Sequence, residues 1–257
     1  MRDCVSILAL LILIGWAPLA QAQKQVCPPP LPSAVETSFK HKRSKLVTAM
    51  GDARHRGQDV LAVAGRPQRL AGKFAYGQGD KDLKDEAVDI FVQRKAPCGE
   101  WALLGQAWTS KDGDNGTVDG VRDDGGRVFF EIPEEQRLPE GRYPVRMRVR
   151  GDGSLAVYDL VVVPPKTNVV VFDIDGTLTS RDKEITKDYL ADLVNVSYDP
   201  DMFAGAVEVV KAWADKGYTV VYATGRPDWL RKLSVGWLED KGFPPGVVHL
   251  ADRKSVV

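Results

Sequence analysis

The stretch Val169-Val170-Val171-Phe172-Asp173-Ile174-Asp175-Gly176-Thr177-Leu178-Thr179 decides the architecture of the C-terminal part of this chain. Its apolar run, rich in β-branched residues, reads as a strand of a parallel sheet, buried on both faces. Two aspartates then stand one residue apart at the strand's carboxyl end. Carboxylates are costly there unless a cation or a reaction uses them. Gly176 lets the chain turn sharply and brings backbone N–H groups toward a bound anion. Beyond this stretch the pattern predicts a helix over 205–216 stopped by Gly217, a strand over 219–223, a helix over 228–241 and a strand over 247–250. Strands alternating with amphipathic helices imply a doubly wound parallel sheet with its chemistry at the carboxyl ends of the strands. The second strand runs into Tyr222-Ala223-Thr224-Gly225-Arg226-Pro227, where Thr224 suits either a phosphoryl contact or the cap of the next helix.

Together the two stretches resemble the first and second motifs of haloacid-dehalogenase-superfamily phosphatases. The words around them are similar to the lipin group of phosphatidate phosphatases and to the related C-terminal domain of Nir/RdgB phosphatidylinositol-transfer proteins, over roughly residues 168–250. The resemblance implies catalysis by Asp173, which attacks phosphorus and forms an aspartyl phosphate, and by Asp175, which protonates the leaving alkoxide and then deprotonates water. It implies Mg2+ on the Asp173 carboxylate and the Asp175 main-chain carbonyl, and phosphoryl oxygens held by Gly176, Thr177, Thr224 and Gly225. Members that only bind phosphatidate are expected to lack one of the paired aspartates, and both are present here. A complete member also carries a later lysine and an acidic metal-binding pair, which cannot be placed before Val257; Lys254 stands too close to the end to be credited. The chain as it stands is therefore expected to be inactive. Residues 252–257 read as a translated sequencing adapter, so the gene is expected to continue; the alternative is natural truncation with an exposed sheet edge.

Before this domain, residues 59–163 carry short β-rich segments separated by glycine and aspartate clusters, the pattern of an immunoglobulin-like all-β sandwich. Strands are predicted over 60–64, 69–76, 87–94, 101–109, 128–132, 143–150 and 155–163. Over 143–150 the alternation puts Tyr143, Val145, Met147 and Val149 on one face and Arg146, Arg148 and Arg150 on the other. No catalytic constellation shows in this region. His41 and His55 read as surface residues without metal-ligand spacing. The aspartate-rich 112–124 segment reads as a polar hairpin in preference to a calcium loop. Pro164-Pro165 opens the 164–167 linker.

Arg2 and the apolar run from Val5 to Ala20, closed by Ala20-Gln21-Ala22, read as a signal peptide over 1–22. Cleavage after Ala22 implies a secreted or periplasmic protein. Cys27 and Cys98 then remain, as one disulfide or as two thiols. The 23–58 lead-in begins proline-rich and extended, then turns basic at Lys40, Lys42, Arg43 and Lys45. That charge run suits a solvated face, anionic lipid or an acidic partner. Lysine plus arginine and aspartate plus glutamate both count 35, so charge alone suggests no nucleic-acid partner. The apolar residues Trp229, Leu230, Leu233 and Trp237 suit a core face, or peripheral membrane contact. The expected function is an exported Mg2+-dependent phosphatase acting on a phosphomonoester such as phosphatidate or a related phospholipid. Its rivals are a phosphatidate-binding module without turnover and a partner-binding sandwich carrying an inert C-terminal piece.

Overall fold

The computed structural model describes residues 30–33, 38–180 and 199–251. The leader, Cys27 and the 252–257 tail lie outside the described residues. So do Cys4 and Cys27 as partners for Cys98, which is disulfide-bonded.

Two sheets face each other in the first domain. The smaller is built in the order β1 (Arg56–Gly57), β3 (Arg69–Lys73), β10 (Arg127–Glu131). The larger runs β2 (Val60–Val63), β12 (Leu155–Val163), β11 (Gly141–Val149), β6 (Ala87–Gln93), β7 (Trp101–Trp108). All neighbours are antiparallel except β2 and β12. Leu70 and Val128 from the smaller sheet meet Val88, Ile90, Val145, Met147, Tyr158 and Leu160 from the larger in one buried core. This is the sandwich that alternating inward residues require. Two hairpins complete it, β4 (Ala75–Tyr76) with β5 (Lys81–Asp82) and β8 (Asp112–Val118) with β9 (Val121–Asp124). In the second hairpin Asp112 binds Lys84, Asp123 accepts from Ser110 and Asn115, and Asp124 binds Lys73 and Arg127.

Three features of this domain differ from the sequence reading. First, Lys42–Thr48 forms a helix, α1, and β1 joins the sandwich from within the lead-in. Second, Arg148 does not face solvent: it is 8% exposed, stacks on Phe91 at 4.8 Å, pairs with Asp89 at 3.3 Å and donates to the Pro32 carbonyl. The extended arm covers it. Third, His55 is no surface residue; its ring packs 4.9 Å from Phe74 and 4.8 Å from Tyr76, meets Ser154 at 2.8 Å and accepts from the Ala75 N–H. His41 bridges to Asp85 at 2.8 Å. Local spacing does not show these partners, because each lies at least 19 residues away.

The second unit holds a three-stranded parallel sheet in the order β13 (Val169–Asp173), β14 (Thr219–Pro227), β15 (Val247–Ala251). Helix α2 (Ala206–Asp215) follows β13 and ends at Gly217, whose φ of +83° closes the last turn. A 3-10 turn (Asp228–Leu230) leads from β14 into α3 (Arg231–Asp240). Val220, Tyr222, Val248 and Leu250 pack against Val207, Val210, Leu230 and Trp237. Trp237 and Leu230 are thus core, while Leu233 is turned outward. The strand β13, predicted buried on both faces, buries only one: Val170 and Phe172 pack inward, and Val169 and Val171 are 41% and 60% exposed.

The two units are joined by the 56–59 segment. Arg56 Nε reaches Asp228 Oδ1 at 2.7 Å. The Gln58 side chain donates to the Leu250 carbonyl and accepts from the Leu250 N–H. Asp59 accepts from the Val248 N–H and pairs with Arg231. Side chains therefore satisfy the backbone groups along the β15 edge that no neighbouring strand takes.

Candidate functional site

Asp173 ends β13, and the sheet hydrogen bonding continues one residue further, with the Ile174 N–H donating to the Ala223 carbonyl at 3.0 Å. The chain then turns. Leu178 and Thr179 N–H groups both donate to the Ile174 carbonyl, and Gly176 takes φ +75°, a conformation strained for other residues. Ile174 is fully buried, so the carboxylates on either side of it are held at the sheet's carboxyl end.

The two aspartates have different surroundings. Asp173 is exposed, yet partial burial first and the charge of Asp175 second push its carboxyl above the ordinary carboxylate value. Asp175 is clamped. Arg226 donates through Nε to Oδ1 and Oδ2 at 3.1 and 3.0 Å and through its Nη2 to Oδ1 at 2.6 Å, while the Thr224 hydroxyl donates to Oδ2 at 2.7 Å. The register between β14 and β15 shifts between Thr224 and Pro227. This irregularity leaves Gly225 exposed and turns Arg226 inward, where it is 1% exposed and its Nη1 donates to the buried Ser234 hydroxyl at 3.1 Å. The Arg226 N–H also donates to the Thr224 hydroxyl oxygen.

The structure thus brings Asp173, Asp175 and Thr224 to one strand end, with Thr177 and Gly225 exposed beside them. It commits two of the expected phosphoryl donors elsewhere: the Gly176 N–H donates to the Thr179 hydroxyl at 3.1 Å and the Thr224 hydroxyl donates to Asp175. Arg226 and Ser234 were missed as site residues. A signal for Arg226 existed, since a cation at the end of a buried strand facing two carboxylates needs a partner. Ser234 gave none.

Residues 53–119 and 115–162 match the family described as PITM 1-3, beta-sandwich domain, and residues 170–256 match the one described as PITM 1-3, LNS2 domain. The chain carries the β-sandwich and LNS2 domains of the PITM 1-3 proteins. Among curated relatives, Protein retinal degeneration B of Drosophila melanogaster is 37% identical over 215 residues, 83% of this chain and 15% of that protein. Membrane-associated phosphatidylinositol transfer protein 2 of Homo sapiens is 37% identical over 222 residues, 86% of this chain and 15% of that protein. Membrane-associated phosphatidylinositol transfer protein 1 of Homo sapiens is 36% identical over the same length, 16% of that protein. The chain spans about 15% of the length of these relatives, which are the Nir/RdgB proteins of the resemblance. The Asp173 loop and the Thr224–Arg226 strand end both fall inside the LNS2 match.

Proposed function

We propose that the LNS2 domain, in the full-length protein that also carries the lysine and the acidic pair, hydrolyses a phosphomonoester, with a phospholipid headgroup such as phosphatidate as its substrate class, through an aspartyl phosphate on Asp173. The observation that carries this reading is the division of labour between the carboxylates. Asp173 stands open at the strand end, and Asp175 is fixed two residues away by Arg226 and Thr224. Asp173 attacks phosphorus in line, and the alkoxide leaves with a proton from Asp175. For that transfer one of the contacts on Asp175 has to open, because both its oxygens already accept hydrogen bonds. Exposed Thr177 and Gly225 offer main-chain N–H groups to the phosphoryl oxygens.

The donor set suits Mg2+, a hard cation that takes one or two carboxylates and completes its shell with water and phosphate oxygens. The Asp173 carboxylate and the Asp175 main-chain carbonyl would hold it; the Asp175 carboxylate would not, being occupied by Arg226. Bound there, Mg2+ supplies the charge neutralisation that lets a carboxylate approach a phosphate. Among the described residues no cluster of three or more His, Cys, Asp or Glu side chains adds to this set. Export across a membrane is the reading that the leader pattern of 1–22 supports.

Phosphatidate vesicles with Mg2+ and the full-length protein test the reading. Phosphate release that is abolished in Asp173→Asn supports hydrolysis. A second reading, headgroup binding without turnover, is favoured by the clamp on Asp175, both of whose carboxylate oxygens already accept hydrogen bonds and so are not free to move a proton. Its signature is retention on phosphatidate vesicles with no phosphate released.

A further inference from the structure

We propose that α1 and the turn after it form a docking surface for an anionic phospholipid bilayer, separate from the Asp173 site. The helix has an inward side that fixes it to the sandwich. Ser44 is 2% exposed and its hydroxyl donates to Glu86 at 2.5 Å; Glu86 also accepts from the Lys40 and His41 N–H groups, and Val47 packs against the sandwich core. These anchors determine which residues face away.

On the outward side stand Leu46 on the helix and Met50 in the turn just after it, 72% and 62% exposed. Lys42, Arg43 and Lys45 are exposed around them, and Lys81 lines a shallow recess beside Met50 together with Arg54. Among the described residues, none of these five cations has a carboxylate within ion-pair distance. Lys40 and His41, at the sandwich-facing end, are by contrast paired with Asp85. One carboxylate, Asp52, lies in the same recess. The chain carries equal numbers of acidic and basic residues; Asp80 and Asp82, on either side of Lys81, are taken by the buried Arg56 and Lys73, so the outward cations form a local concentration of positive charge.

A merely solvated surface would carry polar residues at positions 46 and 50. A protein partner is less well matched than a bilayer, because the apolar contribution is two flexible, unbranched or γ-branched side chains that stand out from the surface and do not form a rigid anchor. Apolar side chains shallowly inserted among lipids, ringed by lysines at headgroup level, are what an interfacial helix presents to a charged membrane.

Vesicle sedimentation of the intact chain tests this, using phosphatidylcholine vesicles with and without 30 mol% phosphatidylglycerol. Phosphatidylglycerol is a phosphodiester, so it is not a substrate of the Asp173 site. Binding is expected to be at least tenfold tighter with phosphatidylglycerol, to be lost in 0.5 M NaCl, and to fall roughly 25-fold in Lys42→Gln/Lys45→Gln, about fivefold per cation. Leu46→Gln/Met50→Gln is expected to fall at least tenfold, and Asp173→Asn to bind as the parent does. These surface substitutions leave the core untouched. Equal binding to both vesicle types, no binding, or binding unaffected by either double variant overturns the proposal, the last by moving the contact to another face. Loss of phosphate release with phosphatidylglycerol binding intact counts against the hydrolase reading alone.

Discussion

Arg56 Nε lies 2.7 Å from Asp228 Oδ1, with the two side chains 4% and 6% exposed, so the sandwich and the LNS2 unit are joined by a buried ion pair. Arg56 also donates through both terminal nitrogens to Asp80 at 2.7 Å. Asp228 directly follows the strand end that carries Thr224 and Arg226. The sandwich is thereby tied to the same backbone that holds the candidate site.

Replacing Arg56 by Gln leaves the buried Asp228 and the partly buried Asp80 without their shared cation. Removing one partner of a buried pair costs about 3–5 kcal/mol, because the other charge stays desolvated. Urea unfolding of Arg56→Gln is expected to show a loss of that order. Arg56→Gln/Asp228→Asn is expected to recover part of it, since one orphaned charge goes as well; no recovery in the double variant would mean that Asp228 is held by other groups.

Arg226 acts on the site through Asp175. Its guanidinium approaches both carboxylate oxygens, a geometry that the point charge of lysine does not reproduce. In the full-length protein Arg226→Lys is therefore expected to lower phosphate release from phosphatidate at least a hundredfold while Asp173 stays in place. Retention of activity in Arg226→Lys would show that Asp175 needs only a nearby positive charge.

The pH dependence of stability is expected to carry a signature of His55. Burial lowers its pKa from 6.5 to about 4, against the smaller opposing effect of Asp152. The folded state thus keeps the ring neutral where the unfolded chain protonates it. Between pH 6.5 and about 4 the unfolded state binds more protons, so stability falls as pH falls across that window. At about 1.4 kcal/mol per unit the full effect is on the order of 3 kcal/mol. His55→Gln, compared with the parent by thermal unfolding at pH 7 and pH 4.5, is expected to show a smaller acid-induced drop in Tm.

Much of this architecture was legible from the chain. The strand β11 announces itself by alternation, β6 and β12 by β-rich segments between turn clusters, and β13 by its apolar run into Asp173-Ile174-Asp175-Gly176. What was not legible depends on contacts distant in sequence. Nothing near His55 reveals that Phe74, Tyr76 and Ser154 enclose it, and nothing near Arg148 reveals the Pro32 carbonyl. The helix at Lys42–Thr48 lacks a side-chain cap and an acidic first turn, the two usual signals of a helix start, and is fixed instead through Glu86. Arg226 was visible as a residue but not as a clamp, because its inward turn depends on the register shift against β15.

The β15 edge offers the most discriminating test of how the two units are held together. Asp59 is 4% exposed as a residue, and its Oδ1 accepts from the Asp159 N–H at 2.9 Å and from Arg231, while its Oδ2 accepts from the Val248 N–H at 2.9 Å. Asn has the same shape but only one acceptor oxygen. If that oxygen keeps the Asp159 and Arg231 contacts, the amide NH2 faces the Val248 N–H, donor against donor, and Arg231 loses its counter-charge. A buried donor left unsatisfied costs about 1–3 kcal/mol, so Asp59→Asn is expected to destabilise by at least that amount. Amide exchange localises the effect. The Val248 N–H is expected to exchange faster in Asp59→Asn, whereas the Leu250 N–H, held by Gln58, is expected to keep its protection until the units separate. Simultaneous loss of protection at both positions would mean that the whole edge opens as one cooperative unit, with Asp59 as the residue that holds it shut.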